Sequence, residues 1–261
     1  MDTYYVLGRA SFRKNLMYLW AHMANNVGSA LFGFIYIALW HAASHGRAVG
    51  TFSPHQLVNY IAVTQSVLWV TTFLPRDLGI STAVQTGQIA IDFSRPGRYL
   101  PRVVASALGD VAYNILFRSV PLALSFLVMG VYPWRDFLSA ATDGAFAAAL
   151  VLGAITGILI QYLIGMSAFW TFDTRWARRL YFTLTMFAGG QLLPIQLMPP
   201  AMRAILTWLP FQSLVAFPVS ILLHETYWSS WISSMLWALI LTLLAVALTQ
   251  GARRRVEIQG G

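Results

Sequence analysis

The stretch GQLLPIQLMPPAMRAILTWLPFQSLVAFPVSILL, residues 190–223, is apolar along most of its length, yet it holds five prolines: Pro194, Pro199, Pro200, Pro210 and Pro218. Proline removes a backbone donor and its ring clashes with the preceding turn, so one continuous helix cannot run through this segment. Leu, Ile, Val and Phe are too dense here for a water-filled loop. Short helical pieces at membrane depth fit better, provided each backbone group finds a partner inside the protein. The reading is a re-entrant hairpin on one face of a membrane bundle. An ordinary outer loop with proline turns is the alternative.

The rest of the chain sets that segment in a bilayer. Of 261 residues, 57% are hydrophobic and only 10% charged, with a mean hydropathy of +0.62. A soluble domain carries about 25% charged residues. Repeated apolar runs of about 20 residues therefore specify an all-α polytopic membrane protein. There is no cysteine, which excludes disulfides, thiolate metal sites and cysteine nucleophiles. Of the histidines His22, His41, His45, His55 and His224, only His41 and His45 have i, i+4 spacing, and they fall in a polar stretch. Loop histidines and a zinc pair are the two readings of that spacing. The opening MDTYYVLGRASFRKNLMYLW begins with an acid and lacks an apolar core and cleavage site, so it reads as retained.

Six spans are expected, over roughly 22–41, 57–75, 107–131, 144–170, 180–198 and 230–249. With the N-terminus inside, one face collects Arg9, Arg13, Lys14, Arg76, Arg95, Arg98 and Arg102, then Arg175, Arg178, Arg179 and Arg253 to Arg255. The other holds Arg47, Arg135 and Arg203. The positive-inside rule then puts both termini in the cytoplasm. The same asymmetry accounts for the net charge of +8: the cations sit where anionic lipid attracts them, and no nucleic-acid partner is implied.

Three further features stand out. Residues 1–20 place Tyr5, Phe12, Leu16 and Leu19 opposite Arg9 and Arg13, the pattern of an amphipathic helix lying in the inner interface. A plain extension of the first span is the other reading. The loop 76–102 is too long for a tight connection and too polar to be buried, and it ends in GQIAIDFSRPGRYLPR, residues 87–102. It fits either a small helix presented to a soluble partner or a basic loop gripping lipid heads. Within the third span, Asp110, Asn114 and Arg118 repeat every four residues, so they share one helix face. At 1.5 Å per residue Arg118 lies about 12 Å beyond Asp110. An arginine at that depth must pair, snorkel or face a wet cavity. The stripe therefore lines a pathway or locks helices together. Gln65, Gln161, Gln191 and Gln196 read as interhelical glue, and Gly153, Gly157 and Gly165 as points of close helix approach.

Catalysis finds no support. Lys14 is the only lysine, and Arg13 precedes it, so no Walker G-K-[ST] motif occurs in this sequence. No H-E-x-x-H and no intramembrane Ser/His or paired-Asp arrangement is present.

Taken together, the N-terminal helix, the six spans, the long second loop and the proline-broken hairpin resemble the membrane subunits of type-2 ABC exporters. GQIAIDFSRPGRYLPR is similar to that family's short G…D…RP coupling segment. LLPIQLMPPAMRAILTWLPFQSLVAFP, residues 192–218, is similar to its pattern of a proline after the fifth span, then L-P-F and a closing proline. The likeness is to the small six-span permeases without a fused ATPase. It implies a single permease domain over 1–261, with an interfacial helix over 1–20 (Tyr5, Arg9, Phe12, Arg13). A coupling loop over 76–102 would use Gly87, Asp92, Arg95, Pro96 and Arg98. An outer re-entrant segment over 199–229 would be shaped with Pro194, Pro199, Pro200, Pro210, Phe211 and Pro218. It further implies separate ABC ATPase subunits that hold ATP and Mg, a second permease subunit, identical or related, and residence among the lipids of a bacterial inner membrane. The expected activity is outward transport of an amphipathic or apolar substrate, such as a lipid-like molecule, a drug or a peptide. An ion-gradient-driven transporter, with Asp110 as its carboxylate, and a non-transporting scaffold are the alternatives.

Overall fold

The computed structural model describes residues 3–45, 47–131, 144–171, 173–223 and 228–259. Arg135, His224 and the 224–227 part of the expected re-entrant segment lie outside the described residues. Within them the chain is helical, with an isolated bridge between Val49 and Phe52 and no strand. In chain order the helices are α1 (Thr3–Leu16), α2 (Leu19–Ser44), α3 (Pro54–Thr71), α4 (Ile80–Gln85), α5 (Gln88–Ser94) and α6 (Tyr99–Asn114). After a π turn at Ile115–Ser119 come α7 (Val120–Val128), α8 (Ala145–Met166), α9 (Ala168–Thr171) and α10 (Arg175–Ala188). Last are α11 (Pro200–Leu206), α12 (Ala216–Leu222) and α13 (Trp228–Gln259).

Five stretches are long and apolar enough to cross a membrane: Leu19–Ser44, Pro54–Gln85, Tyr99–Val128, Ala145–Thr171 and Trp228–Val256. α2 presents Val27, Leu31 and Ile35 at four-residue spacing, all largely exposed, and α13 does the same with Met235, Leu239 and Leu243. Apolar stripes of that length suit hydrocarbon, not water. The chain is a multi-pass membrane protein. α3 is its buried centre. Pro54 occupies the first turn, and Ser53 and Gln56 form a reciprocal capping box, so the helix starts where the sequence dictates. Tyr60, Ile61, Val67 and Leu68 then pack against Phe126, Leu214 and Val219 in the main core. The expected glycine approaches are present. A Cβ at Gly153 would lie 2.6 Å from the Ser213 carbonyl oxygen, one at Gly157 would overlap the Thr71 carbonyl, and one at Gly165 would lie 2.6 Å from that of Asp77. α8 therefore comes up against the backbone of its neighbours along this edge.

The expected helix over 180–198 is corrected. α10 starts earlier, at Arg175, and stops at Ala188; Gly190 then takes a φ of +78°, and Pro194 leads into a short 3-10 turn at Ile195–Leu197. The chain from Arg178 to Leu197 nonetheless runs the length of α3. Arg178 sits beside Asp77, below the end of α3, while Leu197 reaches Gly50, above its start. The two points are separated by the length of α3, about 27 Å at 1.5 Å per residue. The unwound stretch keeps its carbonyls satisfied: Gly189 accepts from the Ala216 N–H (2.9 Å), Gly190 from the Tyr60 hydroxyl (2.7 Å), and Leu192 from the Tyr36 hydroxyl. Irregular backbone survives at membrane depth on those terms.

α1 is a helix distinct from the first span, and it leaves Tyr5 and Leu16 exposed. It breaks from α2 at Met17–Tyr18, and Tyr5 is 61% exposed. Its inward face is instead Gly8, Ser11, Phe12 and Asn15, packed on α6, while Arg9 and Arg13 stay exposed. A Cβ at Gly8 would lie 3.0 Å from the Ala105 carbonyl oxygen. His41 lies in the last turn of α2 and His45 caps it with a φ of 47°, so the expected polar loop around them is helix end.

Candidate functional site: the inner loop, its buried aspartate and the outer hairpin

The loop between α3 and α6 forms a short helix over residues that the sequence marks out. Gly87, at a φ of +75°, turns the chain out of α4 and into α5. The Asp92 carboxylate lies 3.5 Å from the Arg95 guanidinium, and Arg102 donates to the Asp92 carbonyl. Arg95 and Arg98 are extended, with Pro96 between them, and Arg98 precedes α6. Phe93 anchors the helix: it meets Tyr99 edge-on at 4.8 Å and stacks on Phe169 at 5.9 Å, and the Arg253 guanidinium sits 5.5 Å from its ring. The opposite face is open. Gln88, Ile91 and Arg95 are exposed, Ile91 by 55%. Ile91 is an exposed isoleucine between polar neighbours, and it was not singled out from the sequence.

Asp77 also escaped the sequence reading. Its side chain is 3% exposed and its Oδ2 accepts from Arg178 Nη1 at 2.5 Å, Ser81 Oγ at 2.7 Å and Thr174 Oγ1 at 3.0 Å. Its backbone N–H donates to Gln161 Oε1 at 3.0 Å, so that glutamine is interhelical glue as expected. Asp77 and Leu78 adopt φ values of 40° and 52°, a left-handed bend that aspartate tolerates and leucine rarely does. Four elements meet at this carboxylate: the loop after α3, α4, α8 and α10. Beside it, the exposed Asp173 carboxyl is held below its usual range, first by the Arg175 backbone N–H and then by the Arg175 side chain.

At the other end of α10 is the hairpin. Pro199 and Pro200 start α11, whose Met202 and Ile205 are exposed, and Pro210 and Phe211 open a 3-10 turn at Pro210–Leu214. Leu214 reaches deep along α3, where its carbonyl accepts from Thr71 Oγ1 at 2.6 Å, and Ser213 Oγ bonds Ser234 Oγ at 2.8 Å. α12, with Pro218 inside it, then turns back and is buried throughout. Between Pro199 and Leu222 the chain thus runs along α3 as far as Thr71 and then turns back. A cavity of about 420 Å³ lies between its limbs, lined by Gln196, Arg203, Thr207, Gln212 and Ser220. The Gln212 side-chain nitrogen is buried there without an acceptor among the described residues.

The polar stripe of α6 serves helix packing. Asp110 accepts from Ser11 Oγ at 2.7 Å and Asn15 Nδ2 at 2.6 Å, both on α1. Asn114 donates to the Phe73 carbonyl at 3.5 Å, and Arg118, in the π turn, lies 4.1 Å from the centre of the Trp69 ring. Tyr5, Arg9 and Arg13 lie on the outward side of α1, and Phe12 packs between Tyr113 and Phe117.

A family model described as "ABC-2 family transporter protein" matches residues 26–260. No curated protein and no solved structure matches the chain.

Proposed function

Since the chain belongs to the ABC-2 family of transporter proteins, we propose that it is the permease of an ATP-driven exporter whose energy is supplied by separate ATPase subunits. One observation carries the reading: α10 links the two candidate working parts. Its start is clamped to Asp77, in the same loop as α4 and α5, and its end is bonded to the re-entrant hairpin through Gly189 and Ala216. A push on the exposed face of α5 would reach the hairpin through packed helix.

In this mechanism two ABC ATPase subunits bind ATP and Mg and close. Gln88, Ile91 and Arg95 take up that movement, with the Asp92–Arg95 pair and Gly87 holding α5 in shape. A second permease, identical or related, completes the pathway, and the hairpin from Pro194 to Pro218 acts as the outer gate. The setting is a bacterial inner membrane with both termini in the cytoplasm. The substrate is amphipathic or apolar: lipid-like, a drug or a peptide. The apolar walls take its body, and the cavity around Gln212 takes a polar head. Proton coupling through Asp110 is disfavoured, since two donors from α1 already hold that carboxylate.

The test is purification of the wild-type chain from its native host in mild detergent, followed by identification of what stays bound. The expected result is an ATPase that is lost from the double variant Asp92→Lys, Arg95→Glu. Wild type that brings down no ATPase overturns the proposal.

A further inference from the structure

On the arginine-rich face a cleft of about 710 Å³ opens between α1, the turn at Arg76–Gly79, α5 and the start of α6. Its lining includes four cations, Lys14, Arg76, Arg95 and Arg102, against two carboxylates, Asp92 and Asp110. Both acids are engaged, Asp110 by Ser11 and Asn15 and Asp92 by Arg95. Lys14, Arg76 and Arg102 have no carboxylate within 4.0 Å among the described residues. Arg102 is held in place beforehand: it donates to the Asp92 carbonyl and lies 5.8 Å from the Tyr99 ring centre, yet its Nε is buried without an acceptor. A buried guanidinium donor left unpaired is costly, and an anionic oxygen is the acceptor that suits it best.

We propose that this cleft binds the phosphate of an acidic phospholipid from the leaflet that faces it. The cations supply the charge-assisted bonds, and Leu7, Leu78, Ile80 and Val103 give the cleft an apolar wall for the glycerol and upper acyl carbons. A free phosphate ion would use only the first set. The cleft runs along α1 and the first three turns of α6 on the arginine-rich side, where a headgroup arrives without leaving its leaflet. A bound lipid would add a direct bridge between α1 and the loop that carries α5. The site does not depend on an ATPase partner.

The test uses the full chain in a neutral detergent, with phosphatidylglycerol, phosphatidylcholine and inorganic phosphate as probes in native mass spectrometry and a binding titration. Lys14→Gln with Arg76→Gln removes two exposed cations that hold no ion pair, so folding is preserved. Arg254→Gln is the control on the same face outside the cleft. The expected result is preferential retention of phosphatidylglycerol, weakened about tenfold or more by the double variant and unchanged by Arg254→Gln. Equal binding of phosphatidylcholine overturns the site. So does an equal loss in the control, which would report surface charge alone. Displacement of the lipid by millimolar inorganic phosphate would assign the cleft to a soluble anion and overturn the lipid.

Discussion

Asp77 is buried, left-handed in its backbone and bonded to three side chains, so its charge has been removed from water on condition that Arg178 stays beside it. Asp77→Ala leaves that arginine facing a void. Breaking a buried pair costs about 3 kcal/mol when the surviving charge is only partly solvated, and Arg178 is 29% exposed. A lower midpoint of thermal unfolding in detergent is the expected outcome; an unchanged midpoint would remove Asp77 from the account. Arg118 makes the opposite case. Its contact is the Trp69 face at 4.1 Å, so Arg118→Met is expected to lose only about 1 kcal/mol. Arg118→Met and Trp69→Leu should also be less than additive, which a double-mutant cycle measures directly. Little of this was visible in the chain. Asp77 reads as one more loop acid because its partners Gln161, Thr174 and Arg178 lie far along the sequence. The i, i+4 repeat of Asp110, Asn114 and Arg118 was plain, but which neighbour they face was not.

Among elements, α1 and α10 show what a sequence pattern omits. α1 packs by its small residues: a Cβ at Gly109 would run into the Gly8 backbone, which cannot yield as a flexible side chain would. Gly109→Val is therefore expected to pry α1 from α6 at a cost of about 1–3 kcal/mol, seen as faster proteolysis between α1 and α2. An unchanged cleavage rate would show that the contact is dispensable. The apolar spacing of Tyr5 and Leu16 marks the exposed side of α1, whereas its packed side depends on Gly8, whose lack of a side chain permits the contact. In α10, hydropathy over 180–198 measured greasiness correctly but could not show that Gly189, Gly190 and Leu192 surrender their carbonyls to Ala216, Tyr60 and Tyr36. Tyr60→Phe leaves the Gly190 carbonyl without that donor at a cost of about 1–3 kcal/mol, and denaturant or thermal unfolding is expected to register it.

For the whole molecule the arrangement sets faces. Thr51 lies with Gly50 and Leu197 at one end, and Gln88 and Arg254 belong to the arginine-rich end. Since the chain has no cysteine, single replacements report without background. Thr51→Cys is expected to react with an impermeant maleimide in intact cells, and Gln88→Cys and Arg254→Cys only after the membrane is opened. The reverse pattern would invert the topology and, with it, the assignment of α5 to the ATPase side.

Composition alone determined that this chain belongs in a bilayer, because 10% charge cannot cover a globular surface with polar groups. Local chemistry determined where helices stop, since the effects of Pro199, Pro210 and Gly87 on the backbone need no distant partner. The positions of the arginines implied the orientation. Tertiary structure decided the rest: which face of α1 packs on α6, that the segment from Arg175 to Leu197 is half helix and half irregular chain, and that Asp77 anchors its start. Those outcomes depend on hydrogen bonds and close approaches between residues as many as 156 positions apart, and no local pattern encodes which distant carbonyl will meet which hydroxyl.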